Sequence, residues 1–515
     1  MEKDTPQGPQ RNEDGRRSGG GAGALIRWLP LILLFVFKRP KLLIPILIVG
    51  GIWYFFLGGQ EMLSGGPVDD PASNELFSLG ANLDEEVYDR AQVFEPLSYG
   101  SNVGQRLPAS VSLAQFAPPR LQQGRQGSCV GWASAYAART ILESKATGKN
   151  PAQTAFSPAY LYNQIALSGC QGAYMNDAMK AMQENGAVPF QQFRYDESSC
   201  SREPDGSLLQ LGRQFRIKGY TRLSKGGSNY ATDIVGMKQH LAQGNPVVIG
   251  MMVGGTFMSR MVAQQLWQPT QRDYSLYGFS GHAMCVVGYD DNLAGGAFQI
   301  MNSWGPNWGD NGIAWVRYQD FEHFNREAYG VYGAAAANPA DANKMSVEFG
   351  LLDNQSQSII ALQKTGDIVF KTAKPIGKGD KFKVLIANSI ECYIYVFGQE
   401  TDGSSYVLFP YTEKHSPYCG ITGTRLFPKD YSMTADEIGN QDYIAIVVSK
   451  EPLDYQQLNS RMTGSRQRSY TLKLKEALGG DLVTNVNFQA GNTVSFSANT
   501  SGKSAVGMVI AIDKR

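Results

Sequence analysis

The chain has 515 residues, 43% hydrophobic and 18% charged, with 47 basic against 46 acidic side chains. That length implies more than one packed unit. The charge balance excludes a uniformly basic nucleic-acid binder and an acidic disordered chain, so no nucleic acid is expected as a partner. Six cysteines are too few for a disulfide-built scaffold, and four histidines leave little material for a metal centre, so no metal or cofactor is expected.

Charge is segregated along the first hundred residues. Residues 1–41 carry eight basic and four acidic side chains, net +4; residues 42–58 (LLIPILIVGGIWYFFLG) carry none; residues 59–100 carry nine acidic side chains and only Arg90, net −8. Residues 1–27 read as a disordered cytoplasmic tail. The uncharged stretch at 42–58 is just long enough for a transmembrane helix. Its positive flank stays in the cytoplasm, which places the rest of the chain in the periplasm. The shorter apolar run 28–37 is cut off by Lys38-Arg39-Pro40-Lys41 and reads as an interfacial helix. Two alternatives stay open: a two-helix hairpin that returns the chain to the cytoplasm, and a cleaved signal peptide. Residues 59–106 read as an acidic tether with some local structure.

The stretch LQQGRQGSCVGWASAYAARTILESKA (121–146) places Val130, Ala133, Ala137 and Ile141 at helical spacing, with Ser128 as the expected N-cap. Cys129 then falls in the first helical turn, where unpaired N–H groups and the helix dipole favour a thiolate. A buried core cysteine is an equally common fate for such a residue. Further on, GFSGHAMCVVGYDD (278–291) puts His282 at the entrance of an apolar strand. FQIMNSWGPNWGDNGIAWVRY (298–318) puts Asn302 at the end of another, followed by Trp304 and Trp308 in a glycine-rich turn. A nucleophilic thiol needs a base, and the base needs an orienting partner; Cys129, His282 and Asn302 supply that set.

Together these three segments resemble the papain-like cysteine peptidases, over residues 107–335. The resemblance implies an α+β, two-lobed domain with a helical lobe and a β-barrel-like lobe. It implies Cys129 as nucleophile, His282 as general base and then acid, Asn302 orienting His282 under Trp304, and Gln123 completing an oxyanion hole with the Cys129 N–H. Gly172, Ala173, Tyr174 and Met175 match the strip that binds extended peptide, and Gly250 and Gly281 are expected to line the same pocket. No charged residue stands among them, which favours an apolar or aromatic substrate side chain. Two departures are Val130, where the family has Trp, and Gln126, where it has Cys. Cys170 and Cys200 have each lost their usual mates, and a Cys170–Cys200 bridge is the expected replacement. Cys285 is expected as a buried thiol. The long inhibitory propeptide usual in secreted members is not evident.

Beyond a joint at 336–345, period-two alternation at 382–388, 392–399, 406–411, 443–449 and 506–513 predicts a β-sandwich over 346–515. It resembles an uncharacterised accessory domain appended to bacterial peptidases and kinases, and its partner is unknown. Cys392 and Cys419 are candidates for a second disulfide, and His415 is expected in an exposed loop. The expected activity is a bacterial, membrane-anchored endopeptidase acting on a peptide or protein substrate. A non-catalytic peptide-binding scaffold and a thiol amidase or transferase on a non-protein substrate are the alternatives.

Overall fold

In a computed structural model, the described residues are 77–98, 103–104, 106–334, 344–500 and 502–515. The tail, the apolar runs at 28–37 and 42–58 and most of the joint lie outside them. No helix among the described residues is long and apolar enough to cross a membrane.

The first folded region sets one buried helix against an antiparallel sheet. Helix α1 begins as Cys129–Gly131, widens to a π-helical stretch at Trp132–Arg139, and finishes as Thr140–Thr147. Its first half is rich in alanine and buried on every side, so it runs through the core and not over it. Gly148, at φ +68°, stops it in the left-handed conformation that glycine adopts without strain. The sheet comprises β1 (Ser110–Ser112), β2 (Ile217–Arg222), β3 (Val247–Val253), β4 (Ser280–Asp290), β5 (Ala297–Met301), β6 (Ile313–Arg317) and β7 (Asn325–Ala334). Its order is β2-β7-β3-β4-β5-β6, with β1 on β4. Strands β3 and β4 are apolar along nearly their whole length and covered on both faces, as continuous rather than alternating hydrophobic strands should be. This is an α+β architecture, as the motifs imply. The long connection between β3 and β4 contains a helical turn, Gly255–Ser259, pinned by Asp273, which accepts from the Thr256 and Thr270 hydroxyls at 2.7 and 2.8 Å.

The second region is β-rich, as its alternation predicts. Two seven-stranded sheets pack over one core. One is centred on Gln441–Ser449 and Ala505–Asp513, the other on Lys344–Asp353 and Lys381–Asn388. Two helices, Tyr455–Gly464 and Tyr470–Leu478, were not expected from the strand pattern. Cys392 and Cys419 lie opposite each other on paired strands, yet both remain free thiols. They point into the core and serve there as small apolar side chains, so the expected second disulfide is absent. His415 is half-buried, bridged through its backbone to Val93, and not an exposed loop residue.

All described residues fall within one compact unit, Glu75–Arg515. The two regions meet at Tyr332 and Tyr418, whose rings lie 4.9 Å apart, and at Gln243, whose Oε1 accepts from Thr422 N at 2.7 Å. Residues 77–98 do not hang free as a tether. They form a strap that runs over the first region and then between the two.

Candidate active site

Cys129 sits where the chain turns into α1. Ser128 occupies the N-cap position, but its hydroxyl makes no cap bond and pairs with Tyr195 OH at 2.6 Å. Tyr195 also donates to Gln123 O at 2.6 Å, so one tyrosine fixes both ends of the turn before the thiol. Cys129 Sγ accepts from Ala283 N at 3.4 Å and is wholly buried. Burial pushes this thiol up to about 11, against the pull of nearby backbone N–H groups of Ala283, Gly80 and Val130.

The imidazole comes from β4 and its partner from the end of β5. His282 Nε2 donates to Asn302 Oδ1 at 2.8 Å, and Ser303 N donates to the same oxygen at 2.7 Å. Holding Nε2–H on Asn302 leaves Nδ1 as the basic nitrogen, and Nδ1 is buried without a hydrogen-bond partner. Trp304 stacks on the imidazole with ring centroids 4.4 Å apart, which keeps water from the His282–Asn302 bond. Burial pulls His282 down to about 4, and the Asn302 bond only partly offsets this. With the site covered, thiol and imidazole are therefore both neutral. Gln123 is oriented by Ser303, whose hydroxyl donates to Gln123 Oε1 at 2.6 Å. That fixes the amide nitrogen as the end facing the cleft.

The cleft is occupied by the chain itself. Gln123 Nε2 donates to Ser78 O at 3.1 Å, and Phe77 stacks on Trp304 at 4.6 Å. Ala173 N donates to Gly80 O at 2.9 Å, Asn82 N to Ala173 O at 3.0 Å, and Ala81 N to Gly281 O at 3.2 Å. The strap thus runs as an extended strand, parallel to residue 173. A Cβ at Gly80 would collide with the Gly127 carbonyl, and one at Gly250 would collide with Leu83 and Met175. These glycines allow the strap to lie this close. Leu83 therefore sits in the pocket walled by Gly250, Gly281 and Met175. Tyr174 is half-buried, at the start of the helix Met175–Glu184.

Three features escaped the sequence. One is the strap itself. Another is Tyr195, reached only through the fold. The third is Glu327 on β7, paired in register with Gly250. Its Oε1 accepts from Asp84 N, the residue after Leu83, at 3.1 Å, and Tyr329 OH donates to Oε2 at 3.1 Å. Burial pushes this carboxyl up to about 7. A carboxyl thus stands beside a strip whose own residues carry no charge. A lone acidic residue just before the apolar, glycine-punctuated run AYGVYGA is the available signal. Behind the cleft, Cys170 and Cys200 are joined, with Cα atoms 5.8 Å apart, within the range a disulfide spans. Cys285 is a buried free thiol on β4.

The model of the papain family cysteine protease matches residues 111–334, and that of a domain of unknown function (DUF4384) matches residues 377–452. The chain is 28% identical over 258 residues to an uncharacterized peptidase C1-like protein of Acanthamoeba polyphaga mimivirus, covering 48% of this chain and 76% of that one. It is 28% identical over 218 residues to cathepsin K of Mus musculus, covering 41% of this chain and only 59% of the relative. Among solved structures, xylellain, a cysteine protease from Xylella fastidiosa, aligns at 22% identity and a TM-score of 0.37, over 50% of this chain and 91% of that one. Residues 111–334 are thus a papain-family cysteine peptidase domain.

Proposed function

We propose that the protein is a cysteine endopeptidase whose catalytic set is Cys129, His282, Asn302 and Gln123, held latent by residues 77–84. The observation that carries this reading is the fixed tautomer of His282. Its Nε2–H is committed to Asn302, and its Nδ1 is left bare and buried, while the next residue, Ala283, donates its N–H to the buried Cys129 thiol at the start of a helix. When the strap leaves, water returns to the cleft and the burial that keeps both groups neutral is relieved. His282 Nδ1 then takes the thiol proton and Sγ attacks the substrate carbonyl carbon. Charge collects on the carbonyl oxygen, where Gln123 Nε2 and the Cys129 N–H donate to it. His282 returns the proton to the leaving amine, which departs and leaves a thioester on Cys129. A water, deprotonated by the same nitrogen, attacks the thioester, and the acid product is released with the thiol restored.

The reading extends to location. An anchor at 42–58 with its basic flank in the cytoplasm would present the peptidase domain in the periplasm of a bacterial cell. A reporter fused to the C-terminus should then be active only in its exported form, and cytoplasmic activity would overturn the single-span arrangement.

For the chemistry, the test is labelling by a thiol-reactive peptidyl epoxide. Full-length protein carrying Gly80→Val, in which the strap no longer fits the cleft, should label at Cys129, and adding His282→Ala should remove the labelling. If Cys129 in Gly80→Val labels no faster than in the denatured chain, the peptidase reading falls.

A further inference from the structure

The strap has two halves joined by one helical turn, Glu85–Tyr88, which Asp84 caps by accepting from Glu86 N at 2.8 Å and Val87 N at 3.1 Å. The front half, 77–84, lies in the cleft. The rear half, 89–98, is wedged between the peptidase domain and the C-terminal β domain, and both hold it. On the peptidase side Phe94 N donates to Arg222 O at 3.0 Å, and Gln239 exchanges two hydrogen bonds with the Leu97 backbone at 2.9 Å each. On the other side Val93 N donates to Lys414 O at 2.6 Å, Ser416 N to Val93 O at 3.0 Å, and Ser98 N to Thr424 O at 2.7 Å. The wholly buried Arg425 donates through Nε to Glu95 O at 3.0 Å. Tyr411 OH donates to Glu95 Oε1 at 3.2 Å, and Lys414 pairs with Asp89. Val93, Phe94 and Glu95 are buried in consequence.

An eight-residue segment held in a cleft mostly by backbone bonds is a weak ligand when free. Tied down four residues away, it becomes an intramolecular one, with an effective concentration set by the short connection. Its occupancy of the cleft then depends on how firmly the rear half is fixed, and a large share of that fixing comes from the β domain. We propose that the C-terminal β domain functions as a clamp: by gripping residues 89–98 it keeps residues 77–84 over Cys129, and so sets the resting activity of the peptidase. This assignment rests on the latent-peptidase reading above and gives the domain of unknown function a task inside its own chain.

The test uses full-length protein and the rate of Cys129 labelling by a peptidyl epoxide, which reports the fraction of open clefts. The double variant Tyr411→Phe/Lys414→Glu removes one hydrogen bond to Glu95 and sets a carboxylate against Asp89. Neither residue touches the catalytic groups, and Lys414 is exposed. Labelling should rise about fivefold. Val93→Pro, which deletes the N–H given to Lys414, should act in the same direction from the strap side. In the Gly80→Val background, where the front half is already expelled, the double variant should change the rate less than twofold. If Gly80→Val accelerates labelling but neither clamp variant does, the clamp is wrong while the peptidase reading stands. If the double variant acts equally in both backgrounds, the β domain works directly on the peptidase and the clamp is again wrong. If Gly80→Val itself fails to expose a reactive Cys129, the peptidase reading falls and the clamp with it.

Discussion

The two halves of the strap are held by different kinds of group. The front half is bound by Gln123, Ala173, Gly281 and Trp304, each of which the proposed function places in the catalytic site or in the strip that would bind substrate. The rear half is bound by Arg222, Gln239, Lys414, Ser416 and Arg425, none of which belongs to the catalytic set. A peptide entering the cleft would compete for these front-half contacts and for none of the rear. The difference teaches that release and retention can be changed separately: the cleft decides what displaces the strap, and the wedge decides whether it returns.

The largest expected effect probes what the front half covers. In the Gly80→Val background, His282→Ala should lower peptide hydrolysis by about a thousandfold or more, since general acid–base catalysis is worth roughly 10²–10⁴; a fall of under tenfold would mean that His282 is not the base. Gln123→Ala in the same background should lower kcat by about a hundredfold. Against the otherwise native chain, however, it should also loosen the strap, because Ser78 O loses its donor. A Gln123→Ala chain whose Cys129 labels more slowly than the native one would break the idea that substrate and strap share this group. Gly80→Val alone should raise Cys129 labelling by about tenfold or more, and rates equal to the native chain would show that the front half is not a barrier.

The effect farthest from the chemistry concerns Glu327 and falls on stability, not on rate. Folding raises its carboxyl from 4.5 to about 7, so between those values the folded state binds more proton than the unfolded one. Stability therefore falls as pH rises through that window, by up to about 3 kcal/mol. Glu327→Gln, neutral throughout, should match the native melting temperature near pH 4.5 and exceed it above pH 7. Parallel curves for the two proteins would place the Glu327 carboxyl in an ordinary solvated setting.

What could be read from the sequence was what is written in short segments. Cys129 after a glycine-rich turn, His282 at a strand entrance and Asn302 before Trp304 each carry a local signature, and the structure brings His282 and Asn302 within hydrogen-bond distance. The strands around 382–399 and 441–449 were legible because alternation is local too. Distant partners were not. Ser128 looks like an N-cap from its neighbours, but Tyr195, 67 residues on, takes its hydroxyl. Glu327 enters the pocket only because β7 lies beside β3. The strap reads as a tether in the sequence because it binds mainly through backbone N–H and C=O groups, which leave no mark on composition. Of its acidic residues, Asp84 caps a helical turn and Asp89 joins an ion pair.

The covering of Cys129 also bears on how long the enzyme lasts. All four free cysteines among the described residues are buried, but only Cys129 is covered in part by a piece that can leave. A milieu oxidising enough to keep Cys170 and Cys200 joined is one in which an exposed, activated thiolate is carried up the ladder to sulfenic and then irreversible sulfinic acid. If Cys129 is the nucleophile proposed above, the strap would shield it from such oxidation for as long as it stays in place. A stock of latent molecules would thus keep its thiols sound until each is opened, and every opened molecule would begin to age from that moment.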